Sequence, residues 1–90
     1  QWISAELLSA KAKGQRFITG TISAYSESRK SIYLKLTNKL SIRISKKDKP
    51  YFSNINFKQL IGKPVKVRGW VSTYKRRQSI AIRTAHDLQL

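Results

Sequence analysis

From Arg16 onward the chain keeps returning to strict alternation of apolar and polar residues, a period of two that confines it to β-structure. Over residues 16–26, Ile18, Gly20, Ile22 and Ala24 share one face, and Phe17, Thr19, Thr21, Ser23 and Tyr25 share the other. The same rhythm sets Ile32, Leu34 and Leu36 against Ser31, Tyr33 and Lys35, then Leu40, Ile42 and Ile44 against Ser41, Arg43 and Ser45. After Pro64 it sets Val65, Val67, Gly69 and Val71 against Lys66, Arg68, Trp70 and Ser72, and a last run starts at Ile80 and Ile82 and heads for Leu88 and Leu90. Successive Cβ atoms of an extended chain point to opposite sides, so each run is a strand with one oily and one wet face.

Polar turns separate the runs. Glu27 to Lys30 joins the first two and Thr37-Asn38-Lys39 the next two, giving a three-stranded meander. Lys46 to Pro50 ends it, because Pro50 cannot donate to a ladder and the charges around it favour solvent. Gly20 is the expected bend of the long first strand. Residues 4–14 read as a short helix with Ser4 as N-cap and Gly14 as stop, laying Leu7 and Leu8 on the chain beyond it. Phe52, Ile55, Phe57, Leu60 and Ile61 predict a second helix over residues 54–61, stopped at Gly62, with Phe52 and Phe57 plugging an open end of the core. The expected fold is therefore all-β with short helices: a five-stranded OB-fold barrel with a helix between its third and fourth strands. Barrel closure removes exposed edges, and the rival SH3-like barrel would not place a helix there. Residues 1–90 are expected to be one domain, a helical extension over 1–14 and a barrel over 16–90.

Charge narrows the function. Nineteen Lys and Arg stand against four Asp and Glu, a net charge of +15, yet 40% of residues are hydrophobic. A basic disordered tail would carry few apolar residues. Here the cations alternate with Ile, Leu and Val, the pattern of a folded module that lies against phosphate. Glu6, Glu27, Asp48 and Asp87 fall in four separate segments, and no phosphate-binding Gly-rich loop or Ser-His-Asp set is present, so no enzymatic activity is expected. With no Cys and a single His, His86, neither a metal nor another cofactor is expected. Cysteine absence leaves cytoplasm, periplasm and exterior open. No apolar run approaches the roughly 20 residues of a membrane span, residues 1–14 are too polar for a signal peptide, and no basic amphipathic helix is visible, so no membrane partner is expected. Gln1 in place of an initiator Met predicts a piece of a longer polypeptide.

Ligands of OB-folds cross strands two and three between two flanking loops. Alternation puts Tyr33, Lys35, Ser41 and Arg43 on that face, Tyr25, Arg29 and Lys30 at one loop, and Tyr74, Lys75, Arg76 and Arg77 at the other. Cations there would hold phosphates while Tyr rings stack bases, each stack worth about 1–3 kcal/mol whatever the base. The expected partner is single-stranded DNA or RNA, bound with little sequence preference. The plainer alternative makes Tyr25 and Tyr33 cross-strand packing pairs on a half-wet sheet. Trp70, on the fourth strand, is expected to pack against the N-terminal helix or chain end rather than to stack a base, and Lys46, Lys47 and Lys49 to form a solvated turn. A second expectation is a structural accessory domain docking an acidic protein or an adjacent domain of its own chain, and the same loops would suit an acidic oligosaccharide.

Residues 62–71, Gly-Lys-Pro-Val-Lys-Val-Arg-Gly-Trp-Val, resemble the "G-K-x-V-x-V-R-G-W-V" strand of bacterial nucleic-acid-binding OB domains, including those that accompany thermonuclease-like domains. Residues 31–36 and 40–45 resemble the second and third strands of those domains, and residues 85–90 their "H-P-x-Q-L" ending, with Asp87 in place of the Pro. Similar motifs recur in other OB domains, among them the anticodon-binding domains of some aminoacyl-tRNA synthetases. The resemblance spans residues 17–90 and implies a nucleic-acid link, without catalysis by this chain and without fixing the substrate.

Overall fold

A computed structural model describes residues 1–90 and is mostly β. Eight strands, β1 (Trp2–Ser4), β2 (Gly14–Thr21), β3 (Ala24–Glu27), β4 (Ser31–Lys35), β5 (Leu40–Ser45), β6 (Pro64–Tyr74), β7 (Arg77–Ile82) and β8 (Leu88–Gln89), form one sheet. Its hydrogen-bonded order is β1-β2-β6-β7-β5-β4-β3, with β8 beside β6, and the end strands β1 and β3 do not pair. The β1–β2 and β5–β7 pairs are parallel and the others antiparallel. This arrangement is consistent with an OB-fold.

The first long run of alternation is broken where it changes partner. β2 pairs with β6, and two residues later β3 pairs with β4. Between them Ile22 N–H donates to Lys63 O at 3.1 Å, while Ser23 N–H donates to Lys35 O at 2.8 Å. The bend thus falls at Ile22–Ser23, not at Gly20. Gly20 serves close approach instead, since a Cβ there would lie 3.2 Å from Ala5 Cβ and 3.4 Å from a Leu36 methyl.

The apolar halves of the alternation meet in one core of 18 buried residues. Ile18, Ile22, Leu34, Ile42, Ile44, Val67, Val71 and Ile80 are wholly buried, each worth about 1.5–3 kcal/mol relative to exposure. Phe52 and Phe57 join this core with ring centroids 5.8 Å apart. At Gly69 a Cβ would collide with the Ala81 carbonyl and crowd Ile80 and Ile82 at 3.0 Å, so β6 can lie this close to β7 only with glycine there.

The helices differ from expectation. Residues 4–14 form no α-helix: Ser4 ends β1, Ala5–Leu7 makes one 3₁₀ turn, and Gly14, at φ +86°, opens β2. So short a segment cannot sustain a helix without a packed apolar face. Its packed apolar contacts are single and small: Ala5 and Ala12 are buried and Leu8 rests on the core as expected, but Leu7 is exposed and Trp2 meets Phe17 edge-on across β1–β2, with centroids 5.2 Å apart. In place of a helix over 54–61 stand two 3₁₀ segments, Lys46–Phe52 and Phe57–Leu60. Phe57 and Leu60 are three apart, so a 3₁₀ turn puts both on one side, and both are buried. The Lys46–Pro50 stretch is not a plain solvated turn, because Asp48 within it is only 8% exposed. Nor does the last strand run on to Leu90. It stops at Ile82, a 3₁₀ turn comes next at Ala85–Asp87, and β8 returns to pair with β6.

Candidate nucleic-acid interface

Strand register assembles the site. Tyr33 lies opposite Arg43 and Lys35 opposite Ser41 across β4–β5. Ser41 lies opposite Ser79 and Arg43 opposite Ala81 across β5–β7, and Ser72 opposite Ser79 and Tyr74 opposite Arg77 across β6–β7. Residues opposite one another in register share a face, so small side chains (Ser41, Ser72, Ser79, Ala81) make a floor. Tyr33, Arg43, Tyr74, Lys75 and Arg77 stand around an open concavity of about 740 Å³, also lined by Ser26, Glu27, Ser28, Asn38, Lys39 and Gln78.

The β6–β7 hairpin tip is conformationally costly. Lys75 and Arg76 have φ of 49° and 68°, the left-handed region at both central positions of a two-residue turn. Such turns favour Asn-Gly, and a residue with a Cβ held there costs on the order of 1 kcal/mol or more. Lys75 Nζ lies 5.3 Å from the centroid of the Tyr74 ring, which is itself exposed.

Carboxylates are few and mostly engaged elsewhere. The ion pairs are Glu27–Lys46 at 3.3 Å, Asp87–Arg68 at 3.1 Å and Asp48–Arg83 at 4.0 Å, and none uses a cation of the concavity. Glu27, on the concavity wall, also accepts a 2.5 Å hydrogen bond from the Tyr25 hydroxyl. That bond, aided by Lys46, holds the Glu27 carboxyl below its ordinary range, and the same bond is the main cause pushing the Tyr25 hydroxyl up.

Of the residues expected at a binding surface, Tyr33, Arg43, Tyr74, Lys75 and Arg77 line the concavity, and Tyr25, Arg29, Lys30, Lys35 and Arg76 do not. Lys35 shares the outward face of β4 with Tyr33, outside the concavity. Arg29 and Lys30 occupy the bend between β3 and β4, where Lys30 O accepts from Lys46 N–H at 2.9 Å. Tyr25 turns the other way, opposite Leu34, packing on the edge of the core with Lys58 Nζ 5.6 Å from its ring centroid. Asn38 and Lys39 line the concavity and were missed. Their signal was the β4–β5 turn itself, which Gln78 N–H ties down by donating to Lys39 O at 2.7 Å. Trp70 lies beside residues 10–14, as expected of a chain-end contact, but it is 62% exposed rather than packed.

No known family and no curated protein matches the sequence. Solved structures do match in fold. A chain of the S. pombe Stn1–Ten1 complex aligns with a TM-score of 0.59 at 14% identity, over 79% of this chain and 55% of that one. A chain of a Replication Protein A heterotrimer bound to ssDNA aligns with a TM-score of 0.51, also at 14% identity, over 76% of this chain and 52% of that one. The aligned region spans about half of each of those chains, and at such identity the likeness is one of fold.

Proposed function

We propose that this chain is a non-catalytic OB-fold module that binds single-stranded nucleic acid, DNA or RNA, with little sequence preference. In this view β2 and β3 are one bent strand and β1 and β8 are additions, leaving a five-stranded barrel whose concavity is the ligand site. The observation that carries the proposal is the company around that concavity: Tyr33 and Tyr74 stand among Arg43, Lys75 and Arg77, and none of these cations is ion-paired. Phosphates would displace counterions from them while bases stack on the rings. Lys35, Arg29, Lys30 and Arg76 extend the positive rim, and Tyr25 braces Glu27 at its edge. The Replication Protein A structure, solved bound to ssDNA, contains a similarly folded chain and supports this reading. A narrower form, a substrate-holding attachment of a larger chain such as a nuclease, draws on the resemblance at residues 62–71.

Binding of labelled thymidine and uridine oligomers, followed by anisotropy over a range of salt, tests this. If about five cations meet phosphates, log K falls against log salt with a slope of roughly −3.5. Salt-independent binding, or none at low salt, would sink the proposal. The second reading, docking of an acidic protein, draws on the multi-chain nature of both similar structures. It predicts that an acidic partner, and not an oligonucleotide, shifts the amides of the concavity.

A further inference from the structure

Trp70 is the large aromatic that the fold leaves unused. It projects from the outward face of β6, 62% exposed, two residues before Ser72 of the concavity floor and four before Tyr74 of its rim. Residues two apart on a strand point the same way, so Trp70, Ser72 and Tyr74 share one surface. Register ties Trp70 to the far side of the site as well. Tyr33 lies opposite Arg43, Arg43 opposite Ala81, and Ala81 opposite Trp70, one row across four adjacent strands. At about 4.8 Å per strand this row spans roughly 14 Å along the sheet. Between Arg43 and Trp70 it carries only the methyl group of Ala81, and the row beside it carries Ser79 and Ser72, so no large side chain blocks the way.

The ground around Trp70 is cationic. A second open concavity, about 640 Å³, lies between Trp70 and residues 10–14, contains Lys11 and Lys13, and meets the first at Ser72. Neither lysine is ion-paired. An exposed ring flanked by free cations, joined by a smooth floor to a site of the same make-up, is the combination that holds unpaired bases by stacking and their phosphates by charge.

Resting on the function proposed above, we propose that Trp70 is a further base-stacking platform, and that a bound strand leaves the concavity over Ser79 and Ser72 to reach it, with Lys11 and Lys13 on its phosphates. A single strand is required, because a duplex keeps its base faces stacked and out of reach of the indole.

Length dependence tests the path. Thymidine oligomers of about two and about 12 nucleotides fall below and within the roughly 4–16 nucleotides that OB folds occupy, so only the longer can cover the concavity and Trp70 together. In W70A the longer oligomer should bind about 5- to 100-fold more weakly while the shorter one, held by the concavity alone, is unaffected, and W70F should recover most of the loss. In W2F, where Trp70 is the sole indole, the longer oligomer should quench fluorescence saturably at the same midpoint as anisotropy. A merely structural Trp70 would lower the melting temperature without splitting the two lengths. Should W70A fail to fold, quenching in W2F decides alone. Salt-dependent binding of the long oligomer with no quenching and no loss in W70A overturns this proposal and leaves the concavity intact. No binding of either oligomer by the unaltered protein overturns both.

Discussion

The β6–β7 ladder carries cations at both of its ends, and the two ends handle them in opposite ways. In β6 just before its pairing with β7 begins, Arg68 Nε donates to Asp87 at 3.1 Å, and just past β7 the Arg83 N–H donates to the same carboxylate at 3.3 Å. The Arg83 guanidinium also lies 4.0 Å from the buried Asp48. At the hairpin, Lys75, Arg76 and Arg77 are adjacent, none is ion-paired, and two of them sit at positive φ. With only four carboxylates for nineteen cations, where the acids go decides which cations are structural. Two acids are placed in 3₁₀ segments at one end, where they engage Arg68 and Arg83, and none lies in the hairpin, whose three cations therefore stay unpaired. Mutual repulsion and backbone strain at the tip both oppose folding there, and a bound polyanion relieves the first of them.

Exchanging the charges separates the two ends most sharply. K75E/R76E/R77E should weaken a single-stranded oligomer by more than about 100-fold and shrink the salt slope by about 2, while leaving the melting temperature unchanged or slightly higher. D87A, at the opposite end, should keep affinity within about twofold. Its loss of an acceptor shared by Arg68 and Arg83 should instead destabilise by about 1 kcal/mol, discounted for the half-exposed Arg68, or roughly 4–8 °C in a domain this size. Anisotropy and thermal melts on the two variants check this, and equal effects on both readouts would erase the distinction.

How much could be read from the sequence depends on how local each determinant is. Strand faces were legible because alternation fixes side-chain direction residue by residue, so Ile32, Leu34, Ile42, Ile44, Val67 and Val71 were placed inward and Tyr33 and Arg43 outward. Tyr25 was misread for a local reason that alternation hides. The bend at Ile22–Ser23 shifts the parity by one, so Ile18 and Ile22 point inward before it and Tyr25 after it, with Ser26 taking the outward place opposite Tyr33. The helices were misread because Phe52, Phe57 and Leu60 need only be delivered to the core, and short 3₁₀ turns do this around Pro50, which lacks an N–H. Ion pairs such as Arg68–Asp87 and the parallel β5–β7 pairing join residues far apart in the chain. No local pattern announces them, and so the concavity's freedom from paired cations was invisible beforehand.

A gentler change probes strain rather than charge reversal. K75N/R76G installs the residues that a tight turn with two positive φ angles prefers. It should raise stability by about 1–2 kcal/mol, through relief of left-handed strain and of repulsion, while cutting affinity about tenfold and lowering the salt slope by about 1.4. Stability and binding would then move in opposite directions from one pair of substitutions. A fall in stability would mean that Lys75 packing over Tyr74 contributes more to the hairpin than the strain removes.

The smallest effect is expected at Glu27, the one carboxylate on the concavity wall and so the place where the contrast between the two ends is weakest. Its carboxyl is held below the ordinary 4.5 chiefly by the hydrogen bond from Tyr25, with Lys46 next. A lowered folded-state value means that stability from this contact is fully present above about 4.5 and is lost as pH falls through the depressed value. For the Tyr25 hydroxyl, raised above 10.0, the sign reverses: its contribution is present below that pH and is lost as pH rises through the raised value. Both groups reach solvent, so the change in stability is slight and the titration itself is the better readout. In Y25F, carboxyl chemical shifts of Glu27 should titrate closer to 4.5 while staying below it, because Lys46 remains 3.3 Å away. A carboxyl that titrates as in the unaltered protein would mean that Lys46 alone neutralises Glu27, making the concavity wall one more acid–cation pair of the kind found at the opposite end.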